Sequence, residues 1–184
     1  MSIRDIVTLP DQSLRQVSKP VARIDVDIRR LWDDMLETMY AAPGIGLAAI
    51  QVGAARRLLV ADLAKEGEEK KPLFVANPEI VWQSETQSDY EEGCLSIPEF
   101  YEMVSRPSEV TVRYLDRQGE AQQIHATGLL ATCLQHEIDH LNGKLFPDRI
   151  SRIKRNLLMR KVKKAITDGV FGSAIKPSDG GEAR

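Results

Sequence analysis

The sequence has few cysteines and no long apolar run. Two cysteines in 184 residues exclude the disulfide framework of small secreted proteins. The N-terminal stretch MSIRDIVTLPDQSL lacks the apolar core of a signal peptide, and no later stretch is apolar enough to cross a bilayer. We therefore expect a cytoplasmic protein without a membrane segment, in a reducing compartment where a thiolate can bind metal or act as a nucleophile.

An excess of charge of one sign is also missing. The 25 Lys and Arg residues nearly balance 27 Asp and Glu residues, so the net charge of -2 indicates no class of partner. Hydrophobic residues make up 42% and charged residues 28%, which is ordinary for a globular protein. We expect a single domain over residues 1–166, followed by a flexible tail over 167–184 that is rich in Gly, Ser and Pro.

Hydrophobic periodicity and punctuation predict three long helices. They run from Asp25 or Asp27 to Pro43-Gly44, from Thr127 to Asn142-Gly143, and over about residues 148–166. Short runs rich in Val, Ile and Leu predict strands within residues 57–62, 72–83, 108–116 and 120–128. The expected fold class is α+β, with mostly antiparallel sheets packed around the second helix and with a further C-terminal helix.

The second predicted helix contains His-Glu-Ile-Asp-His at residues 136–140, which matches the HExxH pattern. Residues four apart share a helix face, so His136 and His140 can bind one ion. Glu137 lies where it can act as a general base on a water molecule. The alternative is a pair of surface histidines that have this spacing by chance.

A catalytic metal site of this type needs a third protein ligand. The metzincin extension of the pattern fails because Phe146 occupies the ligand position, and beyond His140 the only glutamate is Glu182 in the tail. His125, the remaining histidine, lies in a predicted strand and is expected to be an ordinary strand residue. Neither familiar protease arrangement can therefore be completed downstream.

An upstream cysteine is the better candidate for this ligand. Cys94 lies in YEEGCLSIPEF, and a thiolate is a strong ligand for zinc or ferrous iron. Its alternative is an inert buried thiol. Cys133 is only three residues before His136, and its side chain is poorly placed to bind the same ion. We therefore expect it in a pocket wall or in the core.

Three stretches together resemble the signature motifs of the peptide deformylase family, in its bacterial type with a C-terminal helix. They are GIGLAAIQ at residues 44–51, EGCLS at 92–96 and QHEIDHLNG at 135–143. The resemblance implies removal of the formyl group from the N-terminal formylmethionine of nascent polypeptides. A metal-activated water would attack the formyl carbon and formate would be released. It also implies Cys94, His136 and His140 as ligands of one divalent ion, natively Fe²⁺, with Zn²⁺, Ni²⁺ or Co²⁺ as substitutes.

The resemblance assigns the remaining roles residue by residue. Glu137 would be the general base and acid, while the Gln51 amide and the Leu95 backbone N–H would stabilise the oxyanion. The substrate-binding residues would be Ile45, Gly46, Gln51, Leu95, Leu129, Cys133 and the flank of His136. Some bacterial members have an arginine after SIPE where this chain has Phe100-Tyr101. That departure leaves open how residues beyond the methionine are held.

Two other functions remain possible at this point. One is a peptidase or amidase that uses the same metal. The other is a ribosome-binding module with a structural metal. Structural zinc sites usually have four protein ligands, whereas here three are found, with Glu137 beside the open position. Cleavage of formyl-methionyl, acetyl and internal peptides would separate the enzymes.

Basic residues are concentrated in the last predicted helix. Eight fall between Arg149 and Lys164 with no acidic residue among them. An apolar stripe is expected at Ile150, Ile153, Leu157, Leu158, Val162 and Ala165. The helix can be a solvated face that docks on the core. Its charge density also suits RNA, and similar helices in bacterial deformylases dock on the ribosome near the nascent chain.

One ion pair is left open by the sequence. Asp139 can be a surface charge or can form an internal pair with Arg106.

Overall fold

The computed structural model describes residues 2–65 and 67–169. The helices are α1 (Val26–Ala41), α2 (Gly128–Leu141) and α3 (Arg152–Thr167). The strands are β1 (Gly46–Ala48), β2 (Leu58–Ala61), β3 (Leu73–Gln83), β4 (Gln87–Cys94), β5 (Ile97–Pro107), β6 (Glu109–Leu115) and β7 (Ala121–Thr127). Short 3₁₀ helices cover Gln12–Arg15, Ala49–Val52 and Phe146–Asp148.

Five strands form one antiparallel sheet in the order β1-β2-β3-β6-β7, with helices on both faces. Alternation along β2 explains this arrangement, because Leu58 and Val60 pack against α1 whereas Leu59 packs against α2. All four residues of β2 are therefore buried. The predicted α+β class, with antiparallel sheet around the HExxH helix, is confirmed.

Strands β4 and β5 form a separate two-stranded sheet. The two-residue turn Leu95-Ser96 joins them, since Cys94 pairs with Ile97. This hairpin packs against α2, α3 and the Phe146–Asp148 turn. It brings Cys94, at the end of β4, to the helix that carries the two histidines.

Local signals set the bounds of α2. Thr127 is its N-cap, as expected, although the Thr127 side chain makes no capping hydrogen bond. After Asn142, Gly143 turns the chain with a φ of 70°, and a Cβ there would lie 2.4 Å from the Arg15 carbonyl oxygen. Glycine is thus required at this C-terminus for both conformation and space.

The C-terminal helix departs in part from its prediction. It begins at Arg152, where the Ser151 side chain caps it, rather than near residue 148. Leu158 and Val162 are buried, but Ile153 and Leu157 are 74% and 53% exposed. The expected apolar stripe was therefore too wide, because only the positions that face Leu14, Val104 and Phe146 find a core to join.

The tail predicted over 167–184 falls almost entirely on residues 170–184, which lie outside the described residues. Thr167 still belongs to α3. No described helix is long and apolar enough to span a membrane.

Candidate metal centre and substrate cavity

Three potential ligand atoms converge where α2 meets the end of β4. The Nε2 atoms of His136 and His140 are 3.2 Å apart, and the Cys94 Sγ lies 3.2 Å from the His140 Nε2. All three ligand atoms lie within 4.8 Å of one another. Both histidines are nearly inaccessible to solvent. The structure thus brings together the three residues that the resemblance implies as ligands.

The donor set fits one divalent ion. Zinc binds nitrogen and sulfur at about 2.0–2.3 Å, so neighbouring ligands around a tetrahedral ion are roughly 3.3–3.8 Å apart. The spacing of Cys94, His136 and His140 is close to that range. Two imidazoles and one thiolate suit zinc or ferrous iron, and three ligands leave one position open. This group could therefore hold a catalytic metal.

Glu92 orients His136 through the ring nitrogen that faces away from the other ligands. Its Oε2 lies 2.8 Å from the His136 Nδ1, which leaves Nε2 to face the other ligands. Burial raises the pKa of Glu92, but hydrogen bonds from Arg106 and His136 outweigh this effect and hold the pKa below its usual value. Glu92 is thus an ionised acceptor, the partner that metal-binding histidines usually have.

Arg106 joins this carboxylate to a second one. It is 2% exposed, donates from Nε and Nη2 to Glu92, and donates from Nη1 to Asp139 at 2.7 Å. Asp139 also accepts from Arg149, with its Oδ2 at 2.8 Å from the Arg149 Nε. The internal Asp139–Arg106 pair that the sequence left open is therefore present, with a third member that the sequence did not suggest.

Glu137 has an environment that favours proton transfer. Its side chain is buried, and one carboxylate oxygen, Oε2, has no hydrogen-bond partner. Burial raises the pKa of Glu137 to about 7, and the neighbouring Glu92 adds to this effect while His136 opposes it. A carboxyl group whose pKa is near 7 can both accept and return a proton at cellular pH.

Gly46 is required for the position of that carboxylate. A Cβ at Gly46 would lie 2.5 Å from the Glu137 Oε1 and 2.8 Å from the Cys133 Sγ, closer than side chains approach. Glycine therefore lets β1 pass directly over α2. Any larger residue would displace the Glu137 carboxylate or the strand.

Gln51 is fixed with its donor side towards Cys94. The Ala48 backbone N–H donates to its Oε1 at 2.9 Å, so the amide nitrogen points the other way. That nitrogen lies 3.1 Å from the Ser96 Oγ and 3.6 Å from the Cys94 Sγ. Gln51 is 2% exposed, and its amide cannot turn without losing these contacts.

A cavity of about 630 Å³ opens in front of these groups. Its wall includes every residue assigned to substrate binding by the resemblance: Ile45, Gly46, Gln51, Leu95, Leu129, Cys133 and His136. Ile45 and Leu129 are 41% and 44% exposed, so they form the rim rather than the floor. Phe100 and Tyr101 also line the cavity.

The two competing candidates do not belong to this group of ligand atoms. His125 lies on the exposed face of β7, with Nε2 at 3.0 Å from Glu109 and Nδ1 at 3.1 Å from Thr111, as an ordinary strand residue. Cys133 points to the Ile45 carbonyl, with Sγ at 3.6 Å from that oxygen. Burial raises the pKa of the Cys133 thiol, which keeps it protonated and unsuited to bind metal.

Sequence reasoning missed Glu92 and Ser96, which position His136 and Gln51. Both belong to EGCLS, but nothing in that stretch indicates which side chains its residues contact. Their partners lie more than forty residues away in the chain, so only the folded hairpin identifies them.

Comparisons with known proteins agree with one another. The profile of the family described as Polypeptide deformylase matches residues 3–156. A peptide deformylase of Rhizobium meliloti (strain 1021) is 63% identical over 165 residues, which cover 90% of this chain and 95% of the relative.

Two solved structures of peptide deformylase from Ehrlichia chaffeensis resemble this fold. One has a TM-score of 0.85 at 43% identity and covers 92% of this chain and 99% of its own. The other, in complex with actinonin, has a TM-score of 0.83 at 46% identity and covers 89% and 98%.

Proposed function

This chain belongs to the peptide deformylase family of metal-dependent hydrolases, and we therefore propose that it removes the formyl group from formylmethionine at the start of nascent polypeptides. The observation that carries the proposal is the unpartnered buried oxygen of Glu137 beside the Cys94, His136 and His140 cluster. We propose these three residues as the ligands of one divalent ion, with Fe²⁺ as the native metal. The catalytic unit is residues 1–166.

The ion would supply Lewis acidity, which lowers the pKa of water to about 7. Glu137 takes the proton that the attacking water loses, because its Oε2 has no other partner. It then returns that proton to the nitrogen of the departing amine. Formate and a peptide with a free amino group are the products.

Negative charge develops on the formyl oxygen during the attack. The Gln51 amide nitrogen is fixed towards this side of the cavity, and we assign it together with the Leu95 backbone N–H to that oxygen. Each such donor contributes about 3 kcal/mol in comparable oxyanion sites. Ser96 and Ala48 position the Gln51 amide without contacting the substrate.

The methionine side chain occupies the apolar part of the cavity. Ile45, Leu129 and Cys133 provide its wall, and Gly46 leaves room between β1 and α2. Burial of such a side chain contributes roughly 1.5–3 kcal/mol. The cavity therefore selects the first residue, while the formyl group lies at the metal ligands.

The direct test is formate release by protein purified under anaerobic conditions, with metal analysis on the same sample. Formyl-Met-Ala-Ser should be hydrolysed, whereas acetyl-Met-Ala-Ser and an internal Met peptide should not. Actinonin, which the Ehrlichia chaffeensis relative binds, should compete with the formyl peptide. Equal cleavage of the acetyl peptide would replace this proposal with a general amidase.

The oxygen sensitivity of the iron form can be tested separately. A ferrous ion beside the Cys94 thiolate invites oxidation of both, so the iron form should lose activity in air faster than the nickel or zinc form. Equal decay of all forms would contradict this redox account.

We further propose that the basic helix α3 docks on the ribosome, and hence that the enzyme acts in the cytoplasm. Arg152, Arg160, Lys163 and Lys164 are exposed, which suits contact with RNA phosphates. Binding of the full chain to ribosomes should weaken steeply with salt. It should be lost on truncation after Asp148, and unchanged binding by the truncated chain would disprove the docking.

A further inference from the structure

Thr132 is a buried polar residue in the wall of the substrate cavity. It lies in α2, is 4% exposed, and its hydroxyl has no hydrogen-bond partner. Among the described residues that line the cavity, it shares this property with Glu137, whose free oxygen we have assigned to proton transfer. Buried hydroxyls are normally hydrogen-bonded. The Thr132 hydroxyl is covered as it stands, but the residue lines the cavity, so rotation about χ1 can present the hydroxyl to a ligand.

The neighbouring polar groups on α2 are already engaged. The Cys133 thiol donates to the Ile45 carbonyl, and the Gln135 amide donates to the carbonyls of Ala131 and Pro107. Thr132 can change its χ1 rotamer without breaking a hydrogen bond, because it makes none. Its hydroxyl can thus turn to meet an acceptor placed in the cavity.

We propose that Thr132 is a specificity-determining residue that lets the cavity accept methionine sulfoxide as the first residue of the substrate. The inference rests on the proposed deformylase function. Methionine sulfoxide has the length of methionine but carries one strongly accepting oxygen. In a wholly apolar wall that oxygen would lose its hydrogen bonds to water without replacement. The Thr132 hydroxyl supplies a donor, and the cavity of about 630 Å³ has room for one further oxygen.

The experiment measures formate release from formyl-Met-Ala-Ser and from the two sulfur epimers of its sulfoxide, each assayed separately. Thr132→Val has nearly the same shape but no hydroxyl. It should lower kcat/KM for the better sulfoxide epimer roughly fivefold, the effect of one neutral hydrogen bond, and change the methionine peptide less than about twofold. The ratio of kcat/KM between the two epimers should also decrease in Thr132→Val. A donor at one position cannot bind the oxygens of both epimers equally well, so its removal reduces the difference between them.

Two further variants separate this role from a structural one. Thr132→Ser keeps the hydroxyl and should keep the sulfoxide activity and the epimer preference. Thr111→Val makes the same change on the exposed face of the sheet and should leave all three substrates unaffected.

Three results would overturn the proposal. They are an equal loss on methionine and sulfoxide peptides in Thr132→Val, no loss on either epimer, and no turnover of either epimer by the unaltered protein. If the unaltered protein releases no formate even from the methionine peptide, the proposed deformylase function fails instead.

Discussion

Helices α2 and α3 both carry many polar residues, but burial gives those residues opposite roles. Eleven of the fourteen residues of α2 are buried, among them His136, Glu137 and Asp139. In α3, two of sixteen residues are buried, and all of its Lys and Arg residues are exposed. A buried charge must have a partner, whereas an exposed one needs none. The cost of changing a polar residue in this molecule therefore depends more on its burial than on its type.

The largest effect is expected at Glu137. Glu137→Gln keeps the shape but removes the carboxylate that we propose as the proton acceptor and donor, so kcat should fall by roughly 10²–10⁴-fold. The metal ligands are untouched, and metal content should stay at that of the unaltered protein. Near-normal turnover with metal retained would remove Glu137 from catalysis.

The next largest effect is expected at Arg106, which lies on β5 and forms an ion pair with a buried carboxylate of α2. Arg106→Met leaves Glu92 and Asp139 as buried carboxylates without their shared partner. The free energy of unfolding in urea should fall by about 3–5 kcal/mol. Metal should also dissociate faster into a chelator, because Glu92 no longer holds His136 firmly.

Arg113 on β6 provides the matched control for that variant. It pairs with Glu79, but both side chains are about 60% exposed. Arg113→Met should cost less than about 1 kcal/mol and leave metal retention unchanged. Equal losses for the two arginine variants would contradict the role given to burial.

A smaller effect is expected at Arg149, which reaches the buried cluster from its exposed side. Its side chain is 42% exposed, and Asp139 keeps Arg106 when Arg149 is removed. Arg149→Met should therefore lower the free energy of unfolding by about 1 kcal/mol without changing kcat/KM. Combined with Arg106→Met in a double-mutant cycle, the two losses should not add, since both act on Asp139.

The smallest effect on stability is expected on α3. Changing the exposed Arg160, Lys163 and Lys164 to glutamine should alter the free energy of unfolding by no more than about 0.5 kcal/mol. Turnover of a short formyl peptide should not change either. Ribosome binding, measured by cosedimentation at increasing salt, is the property that should weaken. A large loss of stability would mean that α3 depends on its charges to pack against the rest of the protein.

Sequence patterns predicted the elements that depend on local signals. Asp25 caps α1 with its side chain, and Asn142-Gly143 ends α2 through turn chemistry. Thr127 holds the N-cap position of α2 without a side-chain cap. Four strands of the larger sheet, β2, β3, β6 and β7, lie within the stretches that their composition predicts, whereas β1 was not predicted. Each of these features is encoded within a few residues of where it forms.

The β4-β5 hairpin could not be predicted in the same way. Its strand Gln87–Cys94 is mostly polar and contains no Val, Ile or Leu, so it has little β propensity. Glu92 and Ser96 were missed for a related reason, since their roles arise only when the hairpin meets α2 and Gln51. Motif resemblance indicated Cys94 without indicating the residues that orient its neighbours.

The regular part of the β4-β5 pairing also sets a length that the chain cannot change freely. It places Gly93 opposite Tyr101 and Ser88 opposite Arg106, beyond a register shift between Gly93 and Cys94. One residue inserted between Tyr101 and Arg106 would shift this pairing by one step and turn Arg106 from Glu92 towards solvent. Insertions that ordinary surface loops tolerate would therefore separate the proposed metal ligands from the charged residues that position them. The number of residues in this hairpin is therefore a structural requirement of the proposed metal site.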